Sequence, residues 1–76
     1  MVRYVLIEWD CDNGEVVSRE YLDVSDAEEA FKVLESVVED AEKNGWVCDE
    51  TGNGDFICSK LIDGYAVTRQ LLIEEV

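Results

Sequence analysis

The chain contains no histidine and no proline, and only six of its 76 residues are lysine or arginine. Without histidine it lacks the commonest general base, the usual partner of a nucleophilic side chain and the commonest transition-metal ligand. Six scattered cations do not form the basic stripe that nucleic-acid binding requires. We therefore expect a protein that is not an enzyme, has no cofactor or metal, and does not bind nucleic acid directly.

Membrane and secretion signals are also missing from the sequence. No apolar run approaches the roughly 18 residues of a membrane span, and residues 1–8 lack the apolar region and cleavage site of a secretory signal. We expect a soluble, cytoplasmic protein with one domain over residues 1–76, in a virus-infected host cell if the protein is viral. Three cysteines, Cys11, Cys48 and Cys58, are an odd number and no disulfide framework, so reduced thiols acting as small apolar residues are predicted.

Acidic residues dominate the charge of the chain. Nineteen aspartates and glutamates oppose the six basic residues, for a formal net charge of −13. The acids are interleaved with apolar residues, which make up 47% of the chain and argue against a disordered tail. A folded domain with this charge repels nucleic acid and anionic membranes and attracts basic surfaces.

Hydrophobic patterning predicts five strands and one helix. Segments rich in β-branched and aromatic residues predict strands at 2–9, 15–24, 46–50, 56–62 and 65–73. The pairs Asn13–Gly14 and Asp63–Gly64 each predict a two-residue hairpin turn. A two-residue turn at Asn13–Gly14 places Glu8 opposite Arg19, and the opposite charges support that register.

The connection between the third and fourth strands leaves two registers open. A three-residue loop, Gly52–Gly54, places Cys48 directly opposite Cys58 as a buried pair of thiols. A turn made of Asn53–Gly54 alone sends the two cysteines to opposite faces of the sheet.

Ser25 and Glu28 form a capping-box pattern at the start of a helix. Apolar residues then recur at spacings of three and four, which predicts a helix over about residues 25–44 that ends at Asn44–Gly45. The order ββαβββ predicts an α+β two-layer sandwich with one helix packed on a five-stranded antiparallel sheet.

A single helix covers one face of a sheet and leaves the other face open. Alternation predicts that the helix-facing side carries Trp46, Cys48, Phe56, Cys58, Ile62, Tyr65, Val67, Leu71 and Ile73, joined by Val5, Ile7, Trp9, Leu22 and Val24. The open side is predicted to hold apolar Tyr4, Leu6, Tyr21, Val47, Ile57, Leu61 and Leu72 among polar Glu8, Arg19, Asp49, Ser59, Thr68 and Gln70. Half-apolar open faces indicate a partner or a dimer, so Tyr4, Leu6, Tyr21, Ile57, Leu61 and Leu72 are candidate contact residues.

Two acidic turns, 10–15 and 49–55, resemble cation-binding loops at first sight. Neither meets the ligand spacing of a calcium loop, because glycine falls fifth from Asp10 and the twelfth residue is Tyr21. Solvated turns are the better interpretation.

The acidic residues themselves are the main functional candidates. The predicted helix exposes Glu28, Glu35, Glu39, Asp40 and Glu42, and the following turn adds Asp49, Glu50 and Asp55. Glu35 and Glu39 lie roughly 6 Å apart along a helix axis, a scale similar to that of neighbouring phosphates on one nucleic-acid strand. These residues predict an inhibitor that mimics DNA and occupies a basic, nucleic-acid-binding protein surface such as that of a nuclease. In size and charge the chain is similar to small acidic phage proteins that antagonise host defence nucleases, including anti-CRISPR proteins.

Two alternatives remain open from the sequence. The open sheet face predicts a homodimer or protein-interaction module in which the acids serve solubility. An acidic, lysine-poor surface is also typical of adaptation to a salt-rich cytoplasm, with no specific role for the charge.

Overall fold

Five antiparallel strands and one helix make up the computed structural model, which describes residues 3–76. The elements are β1 (Tyr4–Asp10), β2 (Glu15–Leu22), α1 (Ala27–Lys43), β3 (Val47–Glu50), β4 (Phe56–Ile62) and β5 (Tyr65–Glu75). The strands are ordered β2-β1-β5-β4-β3, so α1 connects the two edge strands across one face of the sheet. The predicted α+β architecture, with the order ββαβββ, is confirmed.

The helix begins at a capping residue one position later than the sequence pattern predicted. The N-cap is Asp26, in an extended conformation, and its carboxylate accepts a 2.8 Å hydrogen bond from the backbone N–H of Glu29. The prediction that Ser25 caps the helix is wrong, because the aspartate one position further on accepts from a first-turn amide that has no partner within the helix.

The helix ends in a Schellman motif. Trp46 N–H donates to the carbonyl of Ala41, and Gly45 adopts the left-handed conformation with φ +93° that this reversal requires. The Lys60 ammonium donates to the Asn44 carbonyl at 2.6 Å, which neutralises part of the negative end of the helix dipole. The predicted stop at Asn44–Gly45 is confirmed.

The core lies between α1 and the sheet. Ala30, Leu34 and Val38 are buried at spacings of four and form one stripe of the helix. They pack against four buried sheet residues, Leu6, Leu22, Cys58 and Leu71. Val24, Trp46, Cys48, Phe56 and Ile73 join this cluster as predicted, whereas Ile62 and Tyr65 lie at the tip of the β4–β5 hairpin and are exposed.

The β4–β5 and β3–β4 registers follow the turn residues. Ile62 pairs with Tyr65 across a two-residue turn in which Asp63 and Gly64 both have positive φ, as a type I′ turn requires. In the preceding loop, the backbone N–H of Thr51 donates to the Asp55 carbonyl. This bond closes a three-residue loop, Gly52–Gly54, which is the first of the two predicted alternatives.

Cys48 therefore lies directly opposite Cys58, and the two are joined by a disulfide bond. The prediction that these cysteines are reduced thiols is wrong. An odd cysteine count does not prevent one pair from forming, and Cys11 is the cysteine left free.

The β1–β2 hairpin differs from its predicted register by one residue. The turn spans residues 11–14 instead of 13–14, and it is closed by a hydrogen bond from Gly14 N–H to the Asp10 carbonyl. A bulge at Val17 adds a further residue to β2, so that Glu8 faces Ser18 and Arg19 faces Ile7.

This slip exchanges the two faces of β1, because side chains alternate along a strand. Tyr4 and Leu6, predicted on the open face, lie on the helix side and belong to the core cluster. Val5, Ile7 and Trp9, predicted beneath the helix, lie on the open face instead.

Candidate functional site: an acidic helix flank and an open sheet face

Four glutamates share one flank of α1. At 3.6 residues per turn, Glu28, Glu35, Glu39 and Glu42 lie within about 60° of arc and extend over about 21 Å of the helix axis. All four are exposed. Lys32 also lies near this flank, where its ammonium is 3.9 Å from the Glu28 carboxylate in a solvent-exposed pair. We call these four glutamates the acidic flank.

The acidic flank lies on the side of α1 that faces the β3 edge of the sheet. Phe31 projects towards this side of the helix, and its ring lies 6.1 Å from that of Phe56 on β4. Glu50 pairs with Phe56 in the sheet and occupies the helix-facing side of the edge strand. Glu50 therefore lies on the same side of the sheet as the acidic flank.

The other predicted acidic residues are not part of this cluster. Asp40 is exposed on the opposite flank of α1, the side that also carries Glu29, because it lies about 100° further round the helix than Glu39. Asp49 occupies the open face of β3, since it is adjacent to Glu50 in the strand.

Asp55 has a structural role in its turn. Its carboxylate accepts hydrogen bonds from the Thr51 hydroxyl and the Gln70 amide. These bonds, with that from Thr51 the strongest contributor, lower the pKa of Asp55. Because both oxygens have partners within the chain, Asp55 is the least available of the predicted binding acids.

Asp10 organises the β1–β2 turn in a similar way. Its carboxylate accepts hydrogen bonds from the Asn13 side-chain amide and from the backbone N–H groups of Asp12 and Asn13. The Asn13 side-chain bond is the main cause that lowers the pKa of Asp10. Asp12 in turn accepts from the Thr68 backbone N–H, so the turn is anchored to β5.

Glu8 lies on the helix side of the sheet and not on the open face where it was predicted. There it pairs with the Arg69 guanidinium, at the margin of the core beside Trp46 and Val37. An ion pair at the edge of an apolar core orients its two side chains but adds little net stability, because the cost of desolvation offsets much of the attraction.

The open face is more apolar than the sequence predicted. Its apolar residues are Val5, Ile7, Trp9, Val16, Tyr21, Val47, Ile57, Leu61, Ala66 and Leu72. Of the predicted contact residues, Tyr21, Ile57, Leu61 and Leu72 are on this face. Tyr21 and Leu61 are 62% and 72% exposed.

A shallow groove of about 530 Å³ runs across the β2–β1–β5 part of this face. Val5 and Ile7 form its floor and are buried, while Trp9, Tyr21 and Leu72 stand around them. The sequence pattern does not identify these floor residues, because residues 4–7 are apolar at every position and alternation cannot assign their faces.

Charge is distributed unequally between the two sides of the sheet. Among the strand residues of the described chain, the open face carries two carboxylates, Asp49 and Glu74, and one cation, Arg19. The helix side carries more acids and more cations: its acids are the acidic flank, Glu29, Asp40, Glu50, Glu8, Asp10, Glu15, Glu20 and Glu75, and its cations are Lys32, Lys43, Lys60 and Arg69. The acids are thus concentrated away from the open face instead of being spread evenly.

The described residues form no metal-binding cluster, and the free thiol of Cys11 has a raised pKa. Within residues 3–76, no group of three or more histidine, cysteine, aspartate or glutamate side chains is arranged to hold a metal ion. Burial, reinforced by the charges of Asp12 and Asp10, raises the pKa of the Cys11 thiol. A thiol with a raised pKa is a poor nucleophile at neutral pH.

The search for related proteins gave no match: no family model, no curated protein and no solved structure is similar to the chain. In the part of the chain that the structure describes, the helix α1 is too short and too polar to cross a membrane.

Proposed function

We propose that this protein is a non-enzymatic binding protein that engages a basic surface of another protein through its acidic flank and there competes with nucleic acid. The supporting observation is the alignment of Glu28, Glu35, Glu39 and Glu42 on one exposed side of a helix that is fixed to the sheet by its buried stripe. A helix anchored in this way fixes the positions from which its carboxylates project, so binding orders the glutamate side chains but not the backbone.

The spacing of the flank is comparable with that of a polyanion. The four charges are separated by three intervals over about 21 Å, an average of roughly 7 Å of axis, whereas the charges of one DNA strand are about 3.4 Å apart. The flank therefore offers about half of the linear charge density of a DNA strand, reduced further at Glu28, whose carboxylate lies 3.9 Å from the Lys32 ammonium. A groove lined by lysine and arginine for phosphates has the complementary potential.

Two double variants with the same change in net charge test this function. In Glu35→Lys/Glu39→Lys the charge of the acidic flank is reversed, whereas in the matched control Glu29→Lys/Asp40→Lys the opposite flank is reversed. Both variants change exposed residues of the same helix, although Glu29 lies in the first turn, where a lysine is unfavourable to the helix dipole. Circular dichroism and thermal unfolding therefore establish that each variant is folded before binding is measured.

Binding is measured by capture from cell lysates with the tagged protein, at about 50 and 500 mM NaCl, followed by elution with duplex DNA. We expect to capture a protein that DNA releases and whose binding weakens at high salt. The Glu35/Glu39 variant should no longer capture this protein, whereas the control variant should. Equal behaviour of the two variants, or no protein that DNA displaces, contradicts the proposal. A fold that melts only when salt is withdrawn instead indicates a salt-adapted surface.

A further inference from the structure

The open face of the sheet carries a second inference, which is independent of the acidic flank. Interior strand β1 is apolar on both sides, with Tyr4 and Leu6 against the helix and Val5, Ile7 and Trp9 on the open face. A strand that is apolar on both sides is typical of a sheet covered on both sides. The single helix of this chain covers one side, which leaves the other apolar side without a cover from the described residues.

We propose that the open face is the contact surface of a homodimer, in which two copies stack sheet against sheet with their helices on the outside. Stacked sheets pack about 10 Å apart with their strands rotated by about 30°. A twofold axis between the two sheets brings the same residues of both copies together, as most protein dimers do.

The low charge of this face allows a second copy to occupy it. Two chains of net charge −13 repel each other in most orientations. Stacking through the open face brings together surfaces that each carry Asp49, Glu74 and Arg19, and it holds the acidic flanks and their partners on opposite outer surfaces. A basic partner, in contrast, is drawn to the helix side, and an anionic membrane is repelled by the whole chain.

The available area is sufficient for such a dimer. Five strands spaced about 4.8 Å apart, each about seven residues long, give a projected face of about 600 Å². Two such faces bury about 1,200 Å², which is the lower end of the range for specific protein–protein interfaces. Tyr21 and Leu61, which are 62% and 72% exposed, protrude from this face and fit the groove of the facing copy. An interface of this size predicts a reversible dimer.

Sedimentation equilibrium of the full chain, from micromolar to millimolar concentration, measures the assembly. We expect a monomer–dimer equilibrium that is strengthened by raising NaCl from about 50 to 500 mM, because salt screens the repulsion between the two chains. Binding to a basic partner weakens over the same salt range, so the two inferences have opposite signatures and fail separately. A monomer at every concentration and salt level overturns the dimer.

Matched tyrosine substitutions locate the interface. Tyr21 lies on the open face, whereas Tyr65 is 76% exposed on the other side of the sheet, at the hairpin tip. We expect Tyr21→Asp and Leu61→Asp each to weaken dimerisation at least about tenfold, since the twofold axis buries two unpaired carboxylates. Tyr65→Asp should leave it unchanged. A dimer that is weakened by Tyr65→Asp and not by the other two variants contradicts the assignment.

Tryptophan fluorescence provides a readout that does not depend on these variants. In Trp46→Phe, the remaining indole of the two in the chain is Trp9, on the open face. We expect acrylamide quenching of Trp9 to fall as the protein concentration rises through the dimerisation range. Quenching that stays constant while the mass doubles places the contact elsewhere and overturns the proposal.

Discussion

Reduction of the Cys48–Cys58 disulfide should destabilise the fold by an amount that the chain length of the closed loop defines. The two cysteines are ten positions apart, and the bond joins edge strand β3 to β4. In the chain-entropy account, closing a loop of that length removes about 9 cal/mol/K from the unfolded state, or about 2.7 kcal/mol at 25 °C.

This free energy corresponds to a large change in melting temperature for a small domain. With an unfolding entropy of about 160 cal/mol/K for 76 residues, a loss of about 2.7 kcal/mol lowers Tm by about 17 °C. The assay is thermal unfolding followed by far-ultraviolet circular dichroism, with and without a phosphine reductant. Thiol titration of the denatured protein should give one thiol per chain before reduction, from Cys11, and three afterwards.

Cys48→Ala is the control for this experiment, because its side chain is only half buried and little packing is lost. The variant should melt close to the reduced wild-type protein and should not respond to the reductant. A wild-type Tm that changes by less than about 3 °C while all three thiols are titrated would refute the entropic reasoning. Three thiols in the protein before reduction would refute the disulfide itself.

Three further predictions concern the helix and the first turn. Leu34→Ala removes a side chain with 0% exposure and should cost about 3 kcal/mol in urea unfolding; a loss below about 1 kcal/mol would mean that the core relaxes around the cavity. Asp26→Ala should cost about 1 kcal/mol in the same assay, and Ser25→Ala much less, because Asp26 accepts the hydrogen bond at the N-cap; equal losses would favour Ser25 as a second cap. Asp10→Ala should destabilise the protein at pH 7 and cease to do so as the pH falls below the lowered pKa of Asp10, since the folded state holds this carboxylate ionised below its ordinary value of 3.8. An effect of Asp10→Ala that is the same at pH 7 and pH 2.5 would contradict that linkage.

The sequence predicted best the elements whose signals are local. The apolar spacing of α1 identified its buried stripe, and Asp63–Gly64 identified a turn whose register has no alternative of similar quality. The exposure of the four glutamates of the acidic flank was predictable for the same reason, because exposed positions follow directly from the helical period. Exposure alone does not place Asp40, which lies on the other flank of the helix because it is about 100° further round than Glu39.

The β1–β2 hairpin shows why the remaining part was not predictable. Asn13–Gly14 is a strong turn signal, but the Asp10 carboxylate organises a wider turn around it, and the Val17 bulge adds a residue. No sequence pattern indicates the wider turn or the bulge as strongly as Asn13–Gly14 indicates a two-residue turn. Since residues 4–7 are apolar at every position, patterning does not distinguish the two registers, and the predicted open face contains Tyr4 and Leu6 where the structure has Val5 and Ile7.

The Val17 bulge also has a consequence for how the sheet ends. At one rim of the sheet, β2 is interrupted by this irregularity and carries alternating charges such as Arg19 and Glu20; at the other, β3 is only four residues long. Irregular, charged and short rims are poor templates for adding another chain by backbone pairing. Crowded copies of this molecule should therefore resist lateral growth into ribbons or fibres and remain discrete particles in solution.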